Sequence, residues 1–525
     1  MKFLLVNEIN KYDSIGIELL SSCLKERGHE CRVCIIPDLI ENTTISLDIL
    51  NLCRPLFYIS DEDYIDYLLS FDPDVIGFSA VTSWIKRAAH LSCIVKKKAP
   101  NVITIVGGPH PTQVTGHTVR MDTFDYVCKG EGEVMMAELA DALQRGEQNP
   151  DVPGVYWMKD GEVCGQGIGQ LVKDLDTLPF PDKNDVISDY PYFEKVYMYN
   201  SMRSCAYNCI YCGSPDMRKE YDKFDMKAFR RKSVNKVIDE LVRAKREYSN
   251  LKIIGFVDDT LTMGREWAMD FARKYKEQVG LPFFGCTNPV LFKDEEIITA
   301  FRDAGMVYVE IGVQVLDEEF RMKEVKRPDS DEDIFTSARL LRKHGIYIQV
   351  NHIFGLDKRD YHDTEFLRKT VEYYLDLQPN RTHCFELEYL PKTESSKRAL
   401  ENGDMTEEEY AAILKGENSV SYNFGGSIGA IKKFRPYIVL LEMRPFLPAR
   451  AIRFLMYNRI AFSIIRRIPL SYLILARLLN TLIHPKDVEG RPHYGKYWYG
   501  MKHIVHIKRF LSKHKKQSQE KTYGR

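Results

Sequence analysis

Twice along this chain, short apolar runs alternate with amphipathic stretches of helical length, and that alternation limits the folds open to it. In the first set, residues 2–6, 29–36, 75–78, 103–106 and 126–128 read as strands, with helical apolar spacing over 14–27, 85–98 and 133–145. Short buried strands separated by helices assemble into parallel sheets. Such a sheet takes its ligand beyond the carboxyl ends of its strands. The second set places strands at 253–257, 283–286, 307–312, 347–354 and 382–388, with helices at 234–248, 265–279, 294–304, 331–344 and 363–377. These make about six units, a partial (β/α) barrel with its site at the strand carboxyl ends. A chain of 525 residues has the length for two or three domains. The expected fold class is α/β. It comprises a doubly wound parallel-sheet domain over 1–148, a connector with a hairpin over 149–194, a partial (β/α)6 barrel over 195–400 and a mainly helical region over 401–525.

At the entrance to the second set lies Arg203-Ser-Cys-Ala-Tyr-Asn-Cys-Ile-Tyr-Cys-Gly213. Cys205, Cys209 and Cys212 stand at C-x3-C-x2-C and put three thiolates on one short loop. Cysteine thiolates are the usual ligands of a cubane iron–sulfur cluster, four being the normal number. A loop that stops at three leaves one iron open to another ligand. A closed zinc site takes four ligands, often as two C-x2-C or C-x2-H pairs, and no second pair follows at short range. The chain holds 12 cysteines in all; Cys23, Cys31, Cys34, Cys53, Cys93, Cys128, Cys164, Cys286 and Cys384 are scattered without framework spacing. That usage suits a reducing cytosol and does not suit a disulfide scaffold.

The loop, with Tyr211 directly before its last cysteine, resembles the radical S-adenosylmethionine superfamily. The resemblance implies a [4Fe–4S] cluster on Cys205, Cys209 and Cys212, with S-adenosylmethionine on the open iron and an external one-electron reductant of flavodoxin or ferredoxin type. Reductive cleavage then gives a 5′-deoxyadenosyl radical. Tyr211 and Gly213 become cofactor-contacting residues by the same resemblance. Phe256-Val-Asp-Asp259 is similar to the segment after the second strand that meets the methionine amino group. A carboxylate suits an ammonium there through charge-assisted hydrogen bonds, which makes Asp258 and Asp259 candidates. Glu310-Ile-Gly-Val-Gln314 resembles the fourth-strand motif near the ribose and methionine carboxylate, with Gln314 where serine is often found. Val325-Lys-Arg327 lies where the family often carries a basic residue near the carboxylate. Ile353-Phe-Gly-Leu356 resembles the glycine motif that packs on adenine, and Glu388–Thr393 the sixth-strand ending. Aspartates at strand ends are also commonly helix caps.

The first set resembles the cobalamin-binding domain that precedes the radical core in a large subgroup of that superfamily. The resemblance rests on the strand-end loops Asn7–Gly16, Ser79-Ala-Val-Thr82, Gly107-Gly-Pro-His-Pro111 and Gly130-Glu-Gly-Glu133. It implies cobalamin contacts from Ser79, Gly107, Gly108 and Glu131, the small residues letting backbone approach the nucleotide tail. The cobalamin domain of methionine synthase and mutases has D-x-H-x-x-G, whose histidine ligates cobalt. Here Lys11-Tyr-Asp-Ser-Ile-Gly16 puts Asp13 at that place, which leaves the lower axial position unassigned. His110, between two prolines, reads as a loop residue packing near the corrin. Read without the resemblance, the same set is a Rossmann-like fold for another nucleotide, or one without a ligand.

In the connector, Asp160-Gly161 between Val155–Met158 and Val163 makes a hairpin turn, and residues 175–182 are expected to be extended by their prolines. Net charge is zero overall. From Arg450 to Arg525, however, 17 Lys and Arg face 3 Asp and Glu, about +14, so the rest of the chain is about −14. Arginines recur at 444, 450, 453, 459, 466, 467 and 477 among Leu, Ile, Phe and Met, and the longest charge-free run is 468–476, far short of the ~20 residues of a membrane span. Two readings stand for this region: a helical cap on the barrel with a snorkelling basic face, or a face lying in a membrane interface. No nucleic-acid recognition motif accompanies the charge, and no nucleic-acid partner is expected. The expected location is the cytosol, with contact at a membrane surface under the second reading. Together these readings imply a cobalamin-dependent radical enzyme that methylates an unactivated carbon of a small or lipid-like substrate. Ring formation like that of the anaerobic tetrapyrrole cyclase and a non-catalytic cobalamin or iron–sulfur sensor stand as alternatives.

Overall fold

The computed structural model describes residues 1–8, 14–37, 58–417, 428–468, 499 and 501–513. Asp13, the aromatic-rich residues 494–498 and the tail beyond 513 lie outside them. The first domain is a seven-stranded sheet of β1 (Lys2–Glu8), β2 (Glu30–Ile36), β3 (Val75–Ser79), β4 (Ile103–Gly107), β5 (Tyr126–Cys128), β6 (Val155–Lys159) and β7 (Glu162–Gly165), in the order β2-β1-β3-β4-β5-β6-β7. Pairing is parallel from β2 through β5 and antiparallel for β6 and β7. Leu4, Val6, Ile76 and Val106 point into one apolar layer, and Phe3, Leu5 and Ile105 into another. Burial on both faces is what near-continuous apolar strands require. The order 2-1-3-4-5 reverses between β1 and β3, which places the ligand crevice at their carboxyl ends. β6 and β7 join through Asp160 (φ 53°) and Gly161 (φ 81°), the left-handed pair of a type I′ hairpin.

The second domain is a parallel six-stranded sheet. Its strands are β8 (Val196–Tyr199), β11 (Ile253–Phe256), β12 (Phe283–Thr287), β13 (Met306–Gln314), β14 (Tyr347–Phe354) and β15 (Arg381–Glu386), in that order. A two-stranded ribbon of β9 (Met202–Arg203) and β10 (Arg230–Arg231) stands beside it. Val309, Ile311 and Val313 are fully buried on the outer face against helices, each contributing roughly 1.5–3 kcal/mol. Those helices begin at side-chain caps from Ser233, Asp294, Ser330 and Asp363. Inside, Val196, Met198, Ile253, Phe284, Tyr308 and Tyr347 plug the amino end of the sheet.

Three expectations need correction. Residues 107–111 are not all loop: Pro109–Gln113 is a short helix, started by proline where its missing N–H costs nothing. The 175–182 stretch begins with a 3-10 turn, Leu175–Thr177, held by the Asp174 carboxylate on the Asp176 N–H at 3.0 Å. The C-terminal region does not cap the barrel alone. Helices Ile428–Glu442, Ala449–Tyr457 and Arg459–Ile465 pack on it, Phe434 stacking on Phe354 at 5.1 Å. The helix over 501–513 instead returns to the first domain, where Ile504, Ile507 and Leu511 join its core.

Candidate functional site

The three-cysteine loop leaves β9 through Ser204, whose φ of 65° turns the chain sharply. It ends at Cys212, which caps helix Gly213–Asp222 with its Sγ accepting from the Ser214 N–H at 3.4 Å. A helix amino terminus behind a sulfur favours the thiolate. Arg218, on the same helix, reaches back to the Tyr207 carbonyl at 3.0 Å and also holds the Cys205 carbonyl and Asn208 Oδ1. Behind the loop Ile210, Val315, Val325 and Leu356 form an apolar wall, with Tyr211 packed on it. Tyr211 accepts from Arg327 at 3.2 Å, and Arg327 donates onward to the Gly312 carbonyl of β13 at 2.8 Å and pairs with Asp329 at 3.1 Å. The tyrosine and the basic residue therefore join the loop to the fourth barrel strand.

Burial pushes the thiols up, Cys212 to about 12, and for Cys205 and Cys212 the charge of Asp259 adds to it. A metal that takes these thiolates must displace their protons, so binding is coupled to pH. Among the described residues no group of three or more His, Cys, Asp or Glu side chains converges on a single ion. A cubane takes each thiolate at a different iron, and three soft donors on one loop fit it, with one iron left for a small-molecule ligand.

Asp258 and Asp259, adjacent in sequence just past the end of β11, have different surroundings. Asp258 is fully buried and accepts from the Ser201 and Met202 N–H groups at 2.8 Å each and from the Ser201 hydroxyl at 3.1 Å. Burial raises its carboxyl to about 6, opposed by Arg231 and those donors. Its oxygens hold the stem of the cysteine loop. Asp259 faces the open mouth beside the cysteines, its carboxyl raised by the crowded walls and lowered by Arg218.

Deeper in the lumen, Cys286, Glu310, Gln349 and Arg381 are register neighbours across β12 to β15. The Asn351 amide donates to Glu310 Oε2 at 3.3 Å, and Gln349 donates to Asn351 Oδ1 at 3.3 Å. The Gln349 and Gln314 Oε1 atoms are buried and have no hydrogen-bond partner. Gln314 also takes a left-handed φ of 70°, which turns the chain at the end of β13. Past β15, burial brings Glu388 up to about 7, a carboxyl that holds a proton near neutrality.

Ser79, Gly107 and Gly108 meet at the carboxyl ends of β3 and β4, where packing on Ala80 holds Gly108 to glycine. A Cβ on Gly108 (φ 105°) would lie 2.9 Å from both the N and O of Ala80, and one on Gly107 would lie 3.4 Å from the Cys128 Cβ. His110 is buried, its Nδ1 at 3.2 Å from the Thr82 hydroxyl and its Nε2 without a partner. Gln113, at the end of that short helix, comes so close to Gly213 that a Cβ there would lie 2.9 Å from its Nε2. The crevice of the first sheet and the cysteine loop of the second therefore meet. Small residues at the switch point and an unpartnered buried imidazole nitrogen make a cleft that suits a cobalamin. Glu131, at the end of the loop after β5, pairs with Arg230 of the second domain. Sequence reasoning missed Arg218, Gln113, Asn351, Gln349 and the partners of Glu131 and Glu133. Apart from Arg203, which opens the cysteine run, none lies in a motif, and only tertiary contact gives them a role.

Residues 2–140 match the B12 binding domain and residues 199–370 the radical SAM superfamily. An uncharacterised methyltransferase of Pyrococcus horikoshii is 29% identical over 304 residues, 57% of this chain and 60% of that protein. The anaerobic magnesium-protoporphyrin IX monomethyl ester cyclase of Rubrivivax gelatinosus is 25% identical over 337 residues, 61% of this chain and 58% of that protein. The matches thus span about three fifths of these relatives' length. The radical S-adenosylmethionine methyltransferase TsrM of Kitasatospora setae, solved with cobalamin and a [4Fe–4S] cluster, shares the fold at a TM-score of 0.63. That likeness has 16% identity and covers 88% of this chain and 99% of that one. Carrying a B12 binding domain ahead of a radical SAM domain, and with them the cofactors cobalamin, S-adenosylmethionine and a [4Fe–4S] cluster, the chain belongs to the cobalamin-binding branch of the radical S-adenosylmethionine superfamily.

Proposed function

We propose that this chain is an enzyme that methylates an unactivated carbon of a small or lipid-like substrate. The observation that carries the reading is the meeting of the two sites, with Gln113 of the first domain against Gly213 of the cysteine loop. When bound, the cluster with S-adenosylmethionine supplies hydrogen abstraction and the cobalamin supplies methyl transfer. The protein's part is to place and to shield. Cys205, Cys209 and Cys212 hold the cluster, Arg218 fixes their loop, and the wall of Ile210, Val315, Val325 and Leu356 keeps water from its back. Asp259 offers a carboxylate to an ammonium at the mouth, and Glu310 with Asn351 lines the lumen below. A substrate reaching that layer meets hydrogen-bonding groups and carries a polar group of its own.

Ring-forming oxidation is the second reading, supported by the likeness to the tetrapyrrole cyclase. Anaerobic reconstitution with iron, sulfide and hydroxocobalamin, then S-adenosylmethionine and a one-electron reductant of flavodoxin type, tests both. The wild type should yield 5′-deoxyadenosine, and the Cys209→Ala variant none. Methylated product with S-adenosylhomocysteine supports methyl transfer; oxidised product without it supports the cyclase reading. Cofactors bound without any cleavage would leave the sensor reading standing.

The same proposal extends to a membrane surface. Phe454, Tyr457, Ile460 and Ile464 are 51–76% exposed on two consecutive helices, among exposed Arg450, Arg459, Arg466 and Arg467. An apolar face rimmed by arginine suits an anionic bilayer. No helix among the described residues is long and apolar enough to cross one. The protein should sediment with phosphatidylglycerol vesicles and not with phosphatidylcholine vesicles, and Ile460→Asp should abolish it. Equal recovery with both lipids would overturn the membrane proposal.

A further inference from the structure

The Gly130-Glu-Gly-Glu133 turn touches the neck of the cysteine loop. That neck is the ribbon of β9 and β10, two residues a side, in which Arg203 lies directly opposite Arg230. So short a ribbon has little stability of its own, and like charges facing each other across an antiparallel pair destabilise it further. Each arginine is met by a carboxylate from the other domain. Arg203 pairs with Glu133, and Arg230 takes both oxygens of Glu131, Nη1 at 3.1 Å from Oε2 and Nη2 on Oε1. The Glu131 N–H donates to the Tyr221 hydroxyl at 2.6 Å, and Lys129 pairs with Glu220 at 3.0 Å. Glu133 is 5% exposed and its partner Arg203 29%, and Arg230 and Glu131 are 10% and 15% exposed. Pairs this sheltered are screened far less than surface pairs. The approach is close enough that a Cβ on Gly130 would lie 2.9 Å from the Gly169 N and 3.0 Å from the Tyr221 hydroxyl.

We propose that this turn is an electrostatic latch, with Glu131 and Glu133 as positioning residues that neutralise the facing arginines and close the neck from which Cys205, Cys209 and Cys212 are presented. The cluster-bearing loop is then ordered by docking of the cobalamin domain, whatever reaction follows. Removing both carboxylates leaves two uncompensated guanidinium groups opposed, and the neck opens.

The test uses the full chain without cofactors, alkylated by iodoacetamide and followed cysteine by cysteine by peptide mass spectrometry. In a Glu131→Gln/Glu133→Gln variant the three loop cysteines should react about tenfold faster, the change that ~1.4 kcal/mol of lost local closure produces. Cys93 and Cys164, half-buried elsewhere, should react at the wild-type rate. Exchanging the pair, Glu133→Arg with Arg203→Glu, should restore protection. Glu133→Asp, which keeps the charge but shortens its reach, should fold and speed Cys205 more than Cys93. Unchanged loop rates in the double variant would overturn the latch. So would a uniform rise across all cysteines, which marks general loosening, or failure of the exchanged pair to restore protection.

Discussion

His110 illustrates how one residue's burial becomes a property of the whole fold. Burial, with a smaller contribution from the charge of His117, pushes its imidazole from 6.5 to about 4. The folded state therefore refuses a proton that the unfolded chain accepts between those values. Its contribution to stability is complete above pH 6.5 and is lost as pH falls towards 4, at up to ~1.4 kcal/mol per pH unit crossed. Unfolding of the cofactor-free protein in urea across that range should show His110→Gln with a flatter pH dependence than wild type. Identical slopes would show that this imidazole is solvated. The residue was legible in the sequence as a packing histidine, because two prolines flank it. The partner of its Nδ1 was not, because Thr82 lies 28 positions away.

Elements were easier to read than their junctions. Residues 85–98, 126–128 and 347–354 are a helix and two strands over the spans the apolar spacing gives. Periodicity is a local signal, and the buried layers on both sides of each sheet impose it. Helix Asp61–Leu69 carries Tyr64, Ile65, Tyr67 and Leu68 on one face, but polar Asp and Glu residues break its apolar pattern and hid it. Ends depend on backbone conformation that side chains only hint at. Helix Thr364–Leu377 ends on Gln378 at φ 54°, ψ 50°, a left-handed cap that usually falls to glycine. Gln378 is exposed, so Gln378→Gly should remove strain without removing contacts and raise stability by ~1 kcal/mol in chemical denaturation. A loss of stability would mean that the side chain anchors the turn. At the candidate site the three cysteines were legible because ligand spacing is written in sequence. The sequence favoured Asp259 over its neighbour Asp258, and the Ser201 and Met202 amides that take up the Asp258 carboxylate lie 57 and 56 positions away.

At the scale of the molecule, the two sheets are joined by more than their connector. The helix over 501–513 lies against the first domain, with the Phe510 ring 5.6 Å from Tyr67 and His503 5.3 Å from Tyr190. Ile507 is fully buried there, whereas Val505 is 37% exposed. Ile507→Ala should cost ~2–5 kcal/mol, while Val505→Ala should stay within ~0.5 kcal/mol, both read from denaturant midpoints. Equal effects would show that the helix is not seated. The sequence reading assigned no helix to 501–513, and its apolar stripe of Ile504, Ile507 and Leu511 is taken up by the protein itself. The returning helix also sets an order of assembly. At ~5–20 residues per second, a ribosome needs tens of seconds between finishing the first sheet and releasing the segment that completes its core. Through that interval the nascent domain leaves open the apolar face that Ile504, Ile507 and Leu511 later fill, with Tyr67 bare where Phe510 will pack.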